Sequence, residues 1–224
     1  MKRSQARLEA EMTDEELALL EAILRREAFA GAHLELGTAA GGTLCRMLAC
    51  LPCERGFVVV DRMRYFDGQR ESFERNLARH GVDRARVELR VASSARAFRA
   101  AAVRGERFDF VLIDAGHTLV DATRDLRWAR LLAPGGIVCL HDVDDRWSHR
   151  GVRVALARFE RRRPEYERVA RAGTLVALRK TRAPRRRETD ALDVAHATAL
   201  WLPLRLARTA GKLAKRWRRR RARG

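Results

Sequence analysis

The stretch His33–Thr43, HLELGTAAGGT, decides how the chain reads. Apolar and polar residues alternate up to Gly37, and Gly41 and Gly42 then lead into the helical pattern TLCRMLACL. This is a strand that turns sharply through a glycine loop into a helix. Glycine permits positive φ and lets a ligand lie directly against the backbone. Helix amide ends at such a turn can also hold a carboxylate. A glycine loop alone is a weak signal, so its meaning depends on the segments around it.

Upstream, Thr13 and Glu16 form a T-x-x-E capping box before an amphipathic helix. Leu17, Leu20, Leu24 and Ala28 share one face of that helix, and Gly31 marks its expected stop. Downstream, FVVVD (Phe57–Asp61) is short, apolar and ends in an acid, as a buried parallel strand does. Residues 67–80 read as a helix, VELRV (Val87–Val91) as a strand and SSARAFRAAAV as a helix. FDFVLID (Phe108–Asp114) is a further strand, and Thr118–Leu132 a helix capped by Thr118 and Asp121. Pro134-Gly135-Gly136 is a turn into the strand IVCLHD (Ile137–Asp142). After a helix over 151–162, two apolar runs split by Arg171-Ala172-Gly173 predict an antiparallel hairpin at the sheet edge.

Short apolar strands alternating with helices specify an α/β chain, a doubly wound parallel sheet covered on both faces. Such sheets bind ligands at the carboxyl ends of their strands. Gly37, Asp61, Asp114 and Asp142 all fall at such ends. Their convergence predicts a single site.

Composition sets the outer bounds. A chain of 224 residues with 46% hydrophobic content fits one ordinary domain, expected over 1–180, plus an appendage over 181–224. No apolar run approaches the ~18 residues of a membrane span, and MKRSQARLEAEMTDEE has no signal-peptide core. Cys45, Cys50, Cys53 and Cys139 suit a reduced cytosol. Their C-x4-C-x2-C spacing lacks a nearby fourth ligand, so they read as ordinary helix and loop cysteines. A cytoplasmic location follows as the expectation. The net charge of +18 is uneven: residues 181–224 carry +11, leaving +7 for residues 1–180. Arginine outnumbers lysine 43 to 4, a bias that a GC-rich coding sequence produces, so it argues weakly for nucleic acid.

Taken together, ELGTAAGG, VVVDRM, FDFVLIDAGH and LLAPGGIVCLHDV occur in the order and spacing of class I S-adenosylmethionine-dependent methyltransferases. The chain resembles that family over about residues 13–180, and within it the O-methyltransferase branch of bacterial sugar and natural-product methylases. The resemblance implies a Rossmann-like sheet of order 3-2-1-4-5-7-6 with strand 7 antiparallel. It also implies O-methylation of a hydroxyl on a small molecule or glycan, with S-adenosylmethionine as cofactor. The loop from Glu35 through Gly37, Thr38 and Gly41 is then expected around the methionine part of the cofactor. Asp61 is expected at the ribose hydroxyls, Ser93 and Ser94 at the adenine, and Asp114 beside the sulfonium. Asp114, His117 and His141 are the expected catalytic residues, His117 as a general base or as a further ligand to a cation. Relatives hold a divalent cation such as magnesium with an acid after the fourth strand and an Asp-Asn pair after the fifth. The matching set here is Asp114, His141 and Asp142, where His-Asp replaces Asp-Asn.

The tail is read separately. Leu202, Leu206, Ala210, Leu213 and Trp217 recur at helical spacing among arginines and lysines. A basic amphipathic helix over 194–224, with Leu200, Trp201 and Leu202 as apolar anchor, is expected to meet an anionic membrane surface on the inner face. The other expected partners are the small-molecule or glycan acceptor and a second copy of the chain; nucleic acid ranks lower. Two alternatives stand beside this reading. One is an RNA methyltransferase whose tail grips phosphate, disfavoured because IDAGH stands where an amino-methylating tetrapeptide would. The other is a non-catalytic scaffold, against which the intact loop and Asp61 argue.

Overall fold

The computed structural model describes residues 11–27, 29–52, 54–144, 146, 148–182 and 192–201. Seven strands form one sheet: β1 (Ala32–Leu36), β2 (Phe57–Asp61), β3 (Val87–Val91), β4 (Phe108–Ile113), β5 (Leu132–Leu140), β6 (Tyr166–Ala172) and β7 (Leu175–Lys180). Their order is β3-β2-β1-β4-β5-β7-β6, with β7 antiparallel to both of its neighbours, as the resemblance implies. The helices are α1 (Asp14–Arg26), α2 (Gly42–Ala49), α3 (Gln69–Arg79), α4 (Ser94–Val103), α5 (Leu119–Asp125) and α6 (Arg150–Arg162). Residues 192–201 form a further helical segment.

Period-two alternation in the strands divides the core in two. On β4, Val111 and Ile113 join Leu34 and Leu36 of β1 beneath α4, α5 and α6. Phe110 and Leu112 point the other way, to meet Phe57, Phe73 and the leucines of α1 and α2. Each such fully buried side chain stabilises the fold by about 1.5–3 kcal/mol. The capping box forms as expected: Thr13 Oγ1 accepts from Glu16 N at 3.3 Å, and Glu16 Oε2 accepts from Thr13 N at 2.8 Å.

Four local expectations are corrected. Helix α1 ends at Arg26, not at Gly31. Gly31 instead lies against Asp109, whose carboxylate accepts from the amides of Ala30 and Gly31, and a Cβ there would meet Asp109 Oδ1 at 2.8 Å. The helix expected over Thr118–Leu132 is α-helical only to Asp125, then tightens to 3-10 geometry over Leu126–Leu131. Carbonyls there find partners elsewhere: Tyr166 Oη donates to Ala129 O at 2.7 Å, and Lys180 Nζ to Leu132 O at 2.6 Å. Strand β5 starts at Leu132, and Pro134–Gly136 is an excursion within it rather than a turn before it; the pairing with β4 jumps from Phe108↔Leu132 to Phe110↔Ile137.

The fourth correction concerns the tail. Trp201, expected as a membrane anchor, packs against the core, and Ala197 beside it is fully buried. Asp193 pairs with Arg162 and Arg163 of the α6 C-terminus, fixing the start of this segment. Leu202 and the rest of the expected amphipathic helix, through residue 224, lie outside the described residues. No helix among the described residues is long and apolar enough to cross a membrane.

Candidate active site

The glycine loop follows β1 at its carboxyl end. Gly37 has φ +78°, and a Cβ on it would lie 2.2 Å from the Asp114 carbonyl oxygen. Only glycine lets the β1 and β4 ends approach so closely, a contact sealed by Asp114 N donating to Leu36 O at 2.9 Å. Gly41, at φ +84°, starts α2 and leaves room for the Phe73 ring. The loop walls a cavity of about 2410 Å³ that also reaches Asp61, Ser93, Ser94, Asp114, His117 and His141. Single-ligand pockets are typically ~300–1,000 Å³, so this cleft has room for two small molecules side by side.

Two buried groups in this wall lack partners. Glu35 Oε2 and Thr38 Oγ1 make no hydrogen bond. Burial pushes the Glu35 carboxyl up to about 8, reinforced by the charges of Asp114 and Asp61, and the nearby Thr38 side chain offsets this only in part. A protonated Glu35 and an unpartnered hydroxyl leave donors and acceptors beside the glycine loop.

Asp61 does not cap a helix; Gly68 begins α3. Its Oδ2 accepts from Thr38 N at 3.0 Å, and its Oδ1 from Met63 N at 2.6 Å and Gln69 Nε2 at 3.2 Å. These bonds lock the carboxylate beside the loop and leave an acceptor position, since an ionised carboxylate offers about four. Met63 at φ +53° makes the turn. Ser93 caps α4 by accepting from Arg96 N at 3.4 Å, and Ser94 Oγ accepts from the buried Trp128 Nε1 at 3.0 Å. Both serines are thus already engaged within the protein while lining the cavity.

On the far wall, acids and imidazoles collect. His141 Nδ1 lies 3.1 Å from Asp114 Oδ1 and its Nε2 lies 3.3 Å from Glu16 Oε2. Burial alone would lower the His141 pKa, but Asp114, Asp142 and Glu16 outweigh it and hold it up at about 9. Glu16 Oε1 accepts from both N and Oγ1 of Thr174. His117 Nε2 lies 2.8 Å from Asp142 Oδ2, a bond that raises the His117 pKa against the effect of burial. His149, just before α6, places Nδ1 3.0 Å from Asp142 Oδ1 and 3.3 Å from Asp144 Oδ2. Asp142 itself sits at φ +61°, a left-handed conformation rare for non-glycine residues and often retained at functional sites.

Sequence reasoning locates Asp114, His117, His141 and Asp142, and the structure brings all four together. It misses Glu16, whose capping role masks its reach across the sheet, and reads His149, in a stretch without periodicity, only as a residue that could line the acceptor pocket. Gly151 is the signal for His149. A Cβ there would lie 2.4 Å from Leu119 N and 2.7 Å from His117 O, so glycine lets α6 press its start onto the His117 backbone.

A glycine loop under tight contact, an acid at the end of β2 and this strand order meet in one cleft. Residues 34–143 match a family model described as a methyltransferase domain. That match spans the glycine loop through the end of β5. No curated protein sequence matches the chain. Among solved structures, the domain is similar to the O-methyltransferase TomG of Streptomyces achromogenes, solved with SAM. The two share 20% identity, with 81% of this chain and 91% of that one covered at a TM-score of 0.63. It is also similar to an O-methyltransferase from Bacillus cereus, solved with SAH, at 17% identity, 80% and 92% coverage and a TM-score of 0.62. A third likeness is to CalS11, a TDP-rhamnose 3′-O-methyltransferase of calicheamicin biosynthesis, at 17% identity, 73% and 77% coverage and a TM-score of 0.57. At these identities the likeness establishes a shared methyltransferase fold.

The glycine cradle with its unpartnered Glu35 and Thr38 suits a bound cofactor with an amino-acid end. The expected cation set fits less well. Ligand atoms of Asp114, His141 and Asp142 do fall within 4.8 Å of one another. Both ring nitrogens of His141, however, already face carboxylates, so the ring serves as a cationic cross-link between α1 and the β4 and β5 ends.

Proposed function

We propose that the protein is an S-adenosylmethionine-dependent O-methyltransferase acting on a hydroxyl of a small molecule or sugar. The observation that carries this reading is the Gly37–Asp114 contact. It seats the glycine loop, Asp61 and the imidazole–carboxylate cluster around one two-ligand cleft. TomG, NovP and CalS11 carry O-methyltransferase in their names, and CalS11 names a sugar as its substrate. That makes the sugar or small-molecule hydroxyl the acceptor of choice here.

When bound, the cofactor supplies an electrophilic methyl group on a sulfonium. The residues of this chain align and polarise. The Glu35–Gly42 loop encloses the methionine end, with uncharged Glu35 able to donate a hydrogen bond. Asp61, held by Thr38, Met63 and Gln69, accepts from the ribose hydroxyls. Ser93 and Ser94, which line the same cavity, would border the adenine, and Asp114 would offer negative charge near the sulfonium. His117, made more basic by Asp142, would take the proton of the acceptor hydroxyl as its oxygen attacks the methyl, and Asp142 stabilises the imidazolium that forms. In-line transfer needs little else than this alignment.

The test is a calorimetric titration of the full chain with S-adenosylhomocysteine, repeated for Asp61→Ala. Micromolar binding to the parent, lost in the variant, is the expected result. A parent chain that binds no S-adenosylhomocysteine refutes the reading and leaves the scaffold alternative in its place.

A further inference from the structure

We propose that the mouth of the cleft is a docking face for an anionic bilayer, so that the acceptor is met at the membrane surface. The acceptor's part in this rests on the functional reading above. The docking does not, and it is measured separately.

Arg62 and Arg64 follow β2, Arg99 stands on α4 and Arg124 on α5; all four are exposed and border the cavity. None of them pairs with an acid among the described residues. Arginines elsewhere commonly do so: Arg84 pairs with Glu74, Arg90 with Glu106, Arg168 with Glu160 and Arg179 with Glu27. An arginine-rich composition alone therefore does not account for four uncompensated charges around one opening. Like charges gathered without counter-charge repel one another, and an anionic surface relieves that repulsion. The acids of the cleft are engaged within the protein: Asp61 accepts from Thr38 N, Asp114 meets His141, and Asp142 meets His117 and His149. At the mouth, Tyr65 is 56% exposed, and its hydroxyl lies 3.5 Å from Glu11 Oε1. An exposed tyrosine beside arginines is the combination that settles at headgroup level.

The C-terminal sequence adds charge on the same side. Val194 and Ala195 border the cavity, and Ala197 and Trp201 hold their segment on the core. The sequence that continues from Trp201, residues 202–224, has ten arginines and lysines and no acid. That charge therefore joins the domain a few residues from the cleft wall. Leu202, Leu204, Leu206, Leu213 and Trp217 are interspersed with it, apolar content that suits a bilayer better than a phosphate backbone. Among the described tyrosines, tryptophans and phenylalanines only Tyr65 is exposed, so no platform for stacking successive bases stands beside the arginines.

The test is co-sedimentation of the full chain with vesicles of equal parts phosphatidylglycerol and phosphatidylcholine, compared with vesicles of phosphatidylcholine alone. Binding to the anionic vesicles, absent with the neutral ones and weakened by salt, is the expected result. Arg64→Gln combined with Arg124→Gln should weaken it by about tenfold or more, since each basic residue near an anionic surface contributes roughly fivefold. Arg26→Gln combined with Arg107→Gln removes the same charge from the opposite edge, where Arg26 ends α1 and Arg107 precedes β4. That control should cost less than about twofold. Melting points establish that both double variants are folded. No binding by the parent, equal binding to both kinds of vesicle, or equal losses in the two double variants would overturn the docking face. Displacement from the vesicles by single-stranded RNA at matched phosphate concentration would overturn it too, making nucleic acid the partner. S-adenosylhomocysteine titration of the same sample separates the readings. Vesicle binding without it leaves the docking face and removes the methyltransferase reading, and the converse removes only the docking face.

Discussion

Glu16 Oε2 lies 3.3 Å from Nε2 of His141, joining residues 125 positions apart through the buried side of the cleft. One carboxylate thereby caps α1, holds Thr174 at the β6–β7 turn and balances a cationic ring. Removing it leaves two amides, a hydroxyl and an imidazolium short of a partner. Glu16→Ala is expected to cost about 3–5 kcal/mol, the range for breaking a buried ion pair from one side. Urea unfolding at neutral pH measures this, and a loss below about 1 kcal/mol would place the pair among weak surface contacts.

The same carboxyl has an acid-side signature. Burial would raise its pKa, but hydrogen bonds from Thr13 and Thr174 and the His141 charge bring it down to about 2. A depressed acid contributes stability that is fully present above its unfolded value of 4.5 and is lost as pH falls towards 2. Parent and Glu16→Gln should therefore converge in stability as the pH is lowered through that window. Denaturation midpoints at a series of acidic pH values test it.

Glu35 has the opposite sign. With its carboxyl raised from 4.5 to about 8, the folded chain binds more protons than the unfolded chain between those values. Stability of the ligand-free protein is then lost as pH rises through that window, at up to about 1.4 kcal/mol per pH unit from this group. Glu35→Gln removes the slope, so its stability advantage over the parent should widen from pH 5 to about pH 8. A constant difference across the range would show that Glu35 ionises freely.

Gly37→Ala tests the loop. The added Cβ would fall 2.2 Å from a backbone oxygen, and the φ of +78° is unfavourable for alanine. A loss of more than about 2 kcal/mol is expected, together with loss of S-adenosylhomocysteine binding in whatever fraction remains folded. Thermal melting and calorimetry read the two effects separately.

Ala197→Arg probes the C-terminal segment. Ala197 is fully buried and Trp201 packs beside it, so an arginine there forces residues 192–201 off the domain. The cost is capped by what docking contributes, so a lowered melting point with S-adenosylhomocysteine binding retained is the expected pair of results. An unchanged melting point would mean that the segment adds nothing to stability.

The strands and the site acids were legible because their signals are local, whereas the strand order came from the family resemblance. A short apolar run ending in an acid carries its own length, burial and position, as FVVVD and FDFVLID show. The glycine loop is equally self-contained. What could not be read depends on distant partners. Helix α5 stops early because Tyr166 and Lys180, from the far hairpin, take carbonyls that an α-helix would have used. Glu16 spans the sheet because Thr174 and His141 arrive from later elements. His149 sits in DVDDRWSHRG, where no period betrays an orientation, and only the clash at Gly151 reveals its neighbour. Trp201 looks like a membrane anchor until the core supplies a surface for it.

The place of β7 between β5 and β6 sets a timetable for the growing polypeptide. Every parallel strand from β1 to β5 can pair as it is made, yet the flank of β5 stays bare until Leu175–Lys180 have been synthesised. An apolar strand with unpaired amides is a template for self-association. Chains halted shortly before residue 175 are therefore the aggregation-prone fragments of this protein, and the β6–β7 hairpin is the last part of the sheet to be translated and the part that closes it.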